Sequence, residues 1–406
     1  MKIAYFSTEY PPLIYGGLGV YVDNISRELA SLGQRVSVFA WGDGKAKKYE
    51  DFKGVEAFRE TPVPMRDGLE IFLSSETKAW GDGLSFLLDL ISYNQLSVSK
   101  ALEEGPYDLC VAQDWLGLPA AMAAREKGVP MIYHVHGLEI GRSSHPNPQL
   151  VELEKKGALV ADLVITVSEA MKQQLEGLGV PEEKIRACYH GVDADFFDPD
   201  RADPKKLQAL REKYGFGDED QVILFVGRLE PVKGVAQLLQ AMPIVVEKHP
   251  NARLLIVGKG SLEALVKEAA EHSGVVTLVT DFLDPEEKMY HYALADLCVF
   301  PSHYEPFGIV ALEAAAMARP AVVGASGTSG LKEIVENPAS KRPTGVHMDG
   351  RRPEDIAWGI NLALQDPERL KAWGENARRR VLERFTWDKA AEQTLAIYEE
   401  VVARRS

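Results

Sequence analysis

Residues 3–40 read IAYFSTEYPPLIYGGLGVYVDNISRELASLGQRVSVFA, and this stretch decides the fold. The apolar run from Ile3 to Ser7 predicts a short buried strand. Apolar residues then recur at spacings of four and three, which predicts one face of a helix that ends near Gly33: Leu18, Val22, Ile25, Leu29 and Leu32. Val36 to Ala40 predicts a second strand. A strand, a helix and a strand at this spacing form a βαβ unit with parallel strands.

The same alternation continues through the rest of the chain. In the first half, apolar runs predict further strands at Leu109 to Ala112, Met131 to His134 and Leu163 to Val167. A second series of predicted strands follows at Val222 to Val226, Arg253 to Val257, Val275 to Val279, Leu297 to Phe300 and Ala321 to Gly324. Strands that alternate with helical segments predict an α/β fold with two similar doubly wound, Rossmann-like domains.

The stretch between Asp193 and Gln221 is polar and contains several helix and strand breakers. We therefore predict an N-terminal domain of residues 1–196 and a C-terminal domain of residues 197–386. Residues 387–406 have a helical pattern and are predicted to form a C-terminal helix.

Composition narrows the classes of function. The chain has 406 residues, of which 46% are hydrophobic and 26% charged, as in an ordinary globular protein. Its net charge of −14 argues against nucleic acid and anionic membranes as main ligands. The three cysteines are far apart, which predicts reduced thiols in a cytoplasmic protein. The sequence contains neither a signal-peptide pattern nor an apolar run of about 18 residues, so we expect no membrane span.

A glycine-rich segment follows the first predicted strand and opens the first helix. Glycine at Gly16 and Gly17 lets the backbone approach a ligand closely, and the start of a helix offers N–H groups to an anion. The segment differs from the G-x-G-x-x-G pattern of dinucleotide-binding proteins. A nicotinamide-dependent dehydrogenase is therefore a weak alternative.

Two cations occupy the corresponding turn of the second half. The segment from Val226 to Gly234 leaves the first strand of that half and carries Arg228 and Lys233. Open α/β sheets bind ligands at the carboxyl ends of their strands, so two cations there suit a diphosphate. The alternative is a pair of solvated surface cations.

A third segment, from Pro301 to Glu313, joins a strand to a helix. It places Glu305 in a loop and Glu313 about one turn inside the helix. The N–H groups at the start of that helix suit phosphate, and carboxylates suit sugar hydroxyls. Other predicted substrate-binding residues of this segment are Phe307, Gly308, Ile309 and Val310.

Together these segments resemble the retaining glycosyltransferases of family four, which have the GT-B fold. The resemblance rests on Gly16-Gly17-Leu18, on Gly227-Arg228 with Lys233-Gly234, and on two glutamates separated by seven residues. It implies two Rossmann-like domains facing a central cleft. It further implies a nucleotide-sugar donor bound by the C-terminal domain and an acceptor bound by the N-terminal domain, with the C-terminal helix packing back on the latter.

The resemblance also implies roles for single residues. Arg228 and Lys233 would neutralise the leaving diphosphate, Glu305 would hold the donor sugar and Glu313 the ribose. His136, in the turn after a strand, resembles the histidine that such enzymes bring to the donor sugar.

Within the family, the opening from Thr8 to Gly19 is most similar to glycogen synthases. So is Gln113-Asp114-Trp115, where Asp114 is a predicted substrate-binding residue. The expected donors are ADP-glucose or UDP-glucose, and the expected acceptor is a soluble sugar or an α-1,4-glucan. Ile14 stands where bacterial starch synthases have lysine, which favours a looser family-four relationship.

Several alternatives remain open at this point: another small or lipid acceptor, a nucleotide-sugar epimerase of the same fold, and a glucan-binding protein without turnover. Asp193-x-Asp195 and Asp198-x-Asp200 have the look of metal-binding pairs, but we interpret them as turn residues. We therefore predict no metal site and no cofactor.

Overall fold

The computed structural model describes residues 1–69, 74, 82–142, 145–281 and 283–405. The chain divides into two compact units. Unit 1 comprises Met1–Val167, Lys172–Cys188 and Ala390–Ser406, and unit 2 comprises Ser168–Met171 and Tyr189–Lys389. The sequence placed the boundary between residues 196 and 197, whereas the compact units divide after Cys188 and again after Lys389.

Unit 1 contains an eight-stranded sheet in the order β3-β4-β2-β1-β5-β6-β7-β8. All neighbouring strands are parallel except β3 and β4, which form an antiparallel pair. The strands are β1 Lys2–Ser7, β2 Arg35–Trp41, β3 Tyr49–Phe52, β4 Val55–Glu60, β5 Leu109–Gln113, β6 Met131–Val135, β7 Leu163–Thr166 and β8 Ile185–Ala187.

The helices that accompany this sheet follow the predicted alternation. Their bounds are Gly17–Ser31, Arg66–Leu69, Asp82–Glu104, Leu118–Glu126, Glu139–Arg142, Pro148–Val160, Glu169–Gly177 and the C-terminal Trp387–Ala403. Within unit 1, the C-terminal helix is fixed to the first strand by a hydrogen bond of 2.7 Å between the hydroxyls of Tyr398 and Tyr5.

Unit 2 contains a fully parallel six-stranded sheet in the order β11-β10-β9-β12-β13-β14. This is the order of the doubly wound dinucleotide-binding fold. The strands are β9 Gln221–Val226, β10 Ala252–Val257, β11 Val276–Val279, β12 Leu297–Phe300, β13 Ala321–Gly324 and β14 Gly345–Met348. The helices are Pro204–Lys213, Val235–Lys248, Glu263–Ser273, Pro285–Leu294, Ile309–Ala316, Leu331–Ile334, Pro353–Leu364 and Pro367–Arg384.

The core of unit 2 lies where helices cover the sheet. Ile223 and Phe225 of β9 pack with Leu238 and Met242 of one helix and Ile360 of another, all nearly or fully buried. Both faces of the central strands are covered, which is why those strands are continuous apolar runs in the sequence.

Each sheet reverses its strand order at one point. The reversal lies between β1 and β5 in unit 1 and between β9 and β12 in unit 2. Loops at the carboxyl ends of strands on either side of such a point diverge and leave a crevice for a ligand. We therefore expect each unit to bind its ligand at the loops that follow these four strands.

Among the described residues, the structure has no helix that is both long and apolar enough to cross a bilayer.

Candidate active site

In unit 2, the loops after β9 and β12 bring Lys233 against Glu305. The Lys233 Nζ lies 2.5 Å from Glu305 Oε2, and Ser302 Oγ donates to the same oxygen over 3.1 Å. The backbone of Glu305 is also fixed, because the N–H of Gly330 donates to its carbonyl over 2.8 Å. The strand ends thus bring two opposite charges together at the carboxyl edge of the sheet.

Glycine at position 234 permits this arrangement. Gly234 has φ +72°, and a Cβ there would lie 2.1 Å from the carbonyl oxygen of Pro301. The close approach brings the turn that carries Lys233 onto the start of the loop that carries Ser302 and Glu305.

Glu313 lies in the helix Ile309–Ala316 and is 7% exposed. Lys288 Nζ lies 2.6 Å from one of its oxygens and 2.7 Å from the other. The Tyr292 hydroxyl donates to Oε2 over 2.8 Å. Burial, together with the charge of Glu313, raises the pKa of Tyr292 well above its usual value, so this hydroxyl stays a donor. Lys288 and Tyr292 thus hold the Glu313 carboxylate in place.

The helix Ile309–Ala316 begins without a side-chain cap. Its first residue follows Gly308, which has φ +110°, and no side chain accepts a hydrogen bond at this N-cap. In the part of the chain that the structure describes, no acceptor is recorded for the N–H groups of Gly308, Ile309 or Val310. These N–H groups are the donors that the sequence predicted for a phosphate.

Arg228 and Phe307 occupy different environments. Arg228 is exposed at the end of β9. Its charge helps lower the pKa of Glu230, after the stronger effect of hydrogen bonds from Ser261. Phe307 is only 2% exposed, and its ring packs against Tyr189 and Phe385 at centroid distances of 5.8 and 6.2 Å. The side chain of Phe307, a predicted substrate-binding residue, is thus packed among aromatic rings, and its contact with a substrate stays a prediction.

In unit 1, Asp114 and His136 are neighbours. The Asp114 Oδ1 accepts the N–H of His136 over 2.7 Å, and its Oδ2 pairs with Arg142 over 2.8 Å. His136 Nε2 lies 2.8 Å from Gln113 Oε1. Asp114 is 4% exposed and has φ +56°, a strained conformation for a residue with a side chain. Both of its oxygens are engaged within unit 1, so the carboxylate serves to orient the turn after β6.

The glycine-rich loop of unit 1 has an internal partner. Glu9 Oε2 accepts N–H bonds from Tyr15, Gly16 and Gly19 over 2.9, 3.0 and 3.2 Å. The expectation of a free N–H for an external anion is therefore wrong for Gly16, because Glu9 already supplies the negative charge. The loop is instead held rigid, with Gly17 as the first residue of the helix.

The linker aspartates behave as turn residues. Asp193 Oδ1 accepts the N–H of Phe196, and Asp198 Oδ1 accepts that of Asp200, each within hydrogen-bond distance. Asp198 Oδ2 also pairs with Arg378 over 2.8 Å. These contacts agree with the interpretation of the two D-x-D pairs as turn-forming.

Sequence reasoning missed most of the supporting residues: Glu9, Arg142, Lys288, Tyr292 and Ser302. Lys288 and Tyr292 are separated by four positions on one helix, so they share a face. Nothing in that pattern indicated a partner more than 20 positions away. Glu9 lay within a quoted motif, but its role depends on a loop geometry that spacing does not reveal.

Comparison with known proteins agrees with this fold. Residues 15–196 match the family model described as Glycosyltransferase Family 4, and residues 207–380 match the model described as Glycosyl transferases group 1. An uncharacterised glycosyltransferase of Methanocaldococcus jannaschii is 31% identical, with 98% of both chains covered. A glycogen synthase of Mycobacterium tuberculosis is 30% identical over 98% of this chain and 94% of that protein.

A solved structure supports the fold. The catalytic domain of starch synthase IV from Arabidopsis thaliana, bound to ADP and acarbose, has a TM-score of 0.78 at 16% identity, with 99% of both chains covered. Two Rossmann-like units in one chain are the architecture of the GT-B fold. With relatives of this identity along nearly the whole chain, the protein belongs to the GT-B glycosyltransferases.

Proposed function

We propose that this glycosyltransferase is a retaining hexosyltransferase that transfers glucose from ADP-glucose or UDP-glucose to a soluble sugar or an α-1,4-glucan. The observation that carries the proposal is the set of groups after β9 and β12. Lys233, Glu305 and the uncapped start of the helix Ile309–Ala316 lie at the point where the strand order reverses. This combination suits a ligand that carries a sugar at one end and a diphosphate in the middle.

Each group of unit 2 has a proposed role at the donor. The N–H groups of Gly308, Ile309 and Val310 bind diphosphate oxygens, Glu305 accepts hydrogen bonds from sugar hydroxyls, and Glu313 does the same for the ribose. Lys233 bridges these roles, because its ammonium already contacts Glu305 and has further N–H donors for a phosphate oxygen.

The reaction is then an exchange of one bond for another at the anomeric carbon. The bond from that carbon to the diphosphate oxygen breaks, and the electron pair stays on the oxygen. The acceptor hydroxyl forms the new bond on the same face, and its proton passes to the departing oxygen. Negative charge grows on the diphosphate, where Arg228, Lys233 and the helix N–H groups stabilise it without a metal ion.

We assign the acceptor to unit 1. Asp114 fixes the turn that carries His136, and both follow strands near the reversal between β1 and β5. His136 is the residue proposed to approach the donor sugar, and Gly17 opens the helix beside it. The acidic chain, with net charge −14, and its glycogen-synthase relative support a soluble acceptor over a lipid.

The first prediction concerns the product. Incubation with ADP-glucose or UDP-glucose and maltooligosaccharides should lengthen the chains by α-linked glucose, which proton NMR of the anomeric region measures. A β-linked product would overturn the same-face mechanism. Transfer only to another small sugar or to a lipid would overturn the acceptor assignment, and epimerised donor without transfer would replace the transferase by an epimerase.

The second prediction concerns metal ions. Activity should be unchanged after exhaustive treatment with EDTA, because side-chain cations and backbone N–H groups stabilise the leaving diphosphate. A magnesium-free control with the same buffer history isolates the effect of the chelator. A complete loss of activity that manganese restores would show that the D-x-D pairs or another group hold a required metal.

A further inference from the structure

Glu154 is a buried acid that the proposed mechanism does not use. It lies in the helix Pro148–Val160 of unit 1 and is 0% exposed. Its two carboxylate oxygens lie 3.1 and 3.0 Å from a single donor, the backbone N–H of Glu139. Across the described parts of the chain, no cation forms an ion pair with it. One shared N–H is little compensation for a buried charge.

The charged form of Glu154 is therefore costly to the folded protein. Burial raises its pKa to about 7, the negative charge of Asp114 adds to the rise, and Arg142 opposes it. The folded pKa lies above the unfolded one, so the unfolded chain loses this proton at lower pH than the folded chain. The contribution of Glu154 to the free energy of unfolding is fully present below about pH 4.5 and is lost as the pH rises to about 7. A residue chosen for stability alone would not be an acid here.

A continuous set of contacts leads from Glu154 to the turn at His136. Glu154 holds the backbone of Glu139, where the helix Glu139–Arg142 begins. That helix ends in Arg142, which pairs with Asp114 over 2.8 Å. Asp114 in turn accepts the N–H of His136 over 2.7 Å.

The start of this short helix is held by a second contact as well. The Glu139 carboxylate accepts the N–H of Asn147 over 2.9 Å, so its backbone and side chain are both held. The charged and titratable groups that face Glu154 are Asp114, Arg142, Glu139 and Tyr133. Burial raises the pKa of Tyr133 far above its usual value, so this hydroxyl stays neutral where Glu154 changes charge.

We infer that Glu154 is a positioning residue, which acts through Glu139 and Arg142 to keep Asp114 and His136 in their reactive arrangement. The inference rests on the proposed function, because it gives that arrangement a role in glycosyl transfer. It explains why a destabilising buried carboxylate stands where an amide or an apolar side chain would cost less.

The test compares Glu154→Gln with Glu152→Gln, an exposed glutamate on the same helix. At pH 8, Glu154→Gln should lower kcat about ten-fold, leave the KM for the donor unchanged and leave the melting temperature equal or higher. The rise of kcat with an inflection near pH 7 should disappear. Glu152→Gln should match the wild type in kcat, in the KM for the donor, in melting temperature and in the pH dependence of kcat. If Glu154→Gln folds poorly, Glu154→Asp takes its place. This variant keeps the charge but draws it back from Glu139, so its kcat should lie between the wild-type value and the ten-fold lower one.

A second readout needs no substrate. The backbone N–H signal of His136, which donates to Asp114, should follow pH differently near pH 7 in Glu154→Gln than in the wild type and in Glu152→Gln. The same pH profile of this signal in all three proteins would overturn the inference. So would a normal kcat in Glu154→Gln beside an active wild type, since Glu154 would then have only a structural role. If the wild type transfers no sugar while the His136 N–H signal responds to Glu154→Gln, the proposed function fails and the positioning contact stands.

Discussion

Lys233→Ala should lower kcat by about two orders of magnitude with the preferred donor. Removing one preorganised donor from the charge that grows in a transition state costs about 3 kcal/mol, and each 1.36 kcal/mol is a factor of ten. The loss should exceed that of an ordinary salt bridge, because Lys233 lies 2.5 Å from a Glu305 side chain that is only 12% exposed. Without the ammonium, Glu305 keeps Ser302 as its recorded donor and repels the diphosphate.

Arg228→Ala should also lower kcat, because it removes a second cation from the leaving diphosphate. Arg228 is exposed, so its removal leaves no buried charge behind and should not change the melting temperature. Lys206→Ala is the matched control for both variants, because Lys206 pairs with Glu286 over 2.9 Å on an exposed surface of the same unit. Steady-state kcat and thermal unfolding of all three variants decide the matter. Activity within a few-fold of the wild type for both Lys233→Ala and Arg228→Ala would contradict the role at the leaving group.

The fold was predictable because its signals are local. Central strands such as β9 and β12 are apolar runs bounded by turn residues, and their predicted bounds agree with the structure within a residue. The edge pair of β3 and β4 gave no such signal, since Tyr49–Phe52 has the sequence YEDF and lies mostly exposed. Strand β14 has four residues and begins with glycine, which weakens any pattern.

The site was predictable only in part, because only some of its residues lie close together in the sequence. Glu305, Gly308 and Glu313 lie in one contiguous segment, so a single motif carried them. Their partners Lys288 and Lys233 come from other elements, and the pairings depend on the order of strands in the sheet. Sequence spacing does not encode that order. A motif also does not distinguish a side chain that faces a ligand from one that packs behind the loop, as the buried ring of Phe307 does.

Two loops approach each other closely at Gly234, and we expect a substitution there to lower both stability and donor binding. Gly234→Ala should lower the free energy of unfolding by about 3 kcal/mol or more, and should also weaken donor binding. Alanine at a positive φ costs about 1 to 2 kcal/mol. Here its Cβ would also lie 2.1 Å from the Pro301 carbonyl oxygen, a backbone atom that cannot rotate away.

Gly215 offers a matched control for this substitution, because the two glycines share their backbone φ and differ in the space around an added Cβ. Gly215 has φ +71° against +72° for Gly234, both lie in unit 2, and nothing lies within 4 Å of a Cβ built at Gly215. Gly215→Ala should therefore show the cost of the backbone conformation alone, about 1 to 2 kcal/mol, with normal donor binding. Urea unfolding and calorimetric titration with a nucleotide sugar measure the two quantities. The excess loss in Gly234→Ala reports the displacement of Pro301, and with it the separation of Lys233 from Ser302 and Glu305. Equal losses of stability in the two variants, with donor affinity intact in both, would contradict the claim that this approach builds the donor site.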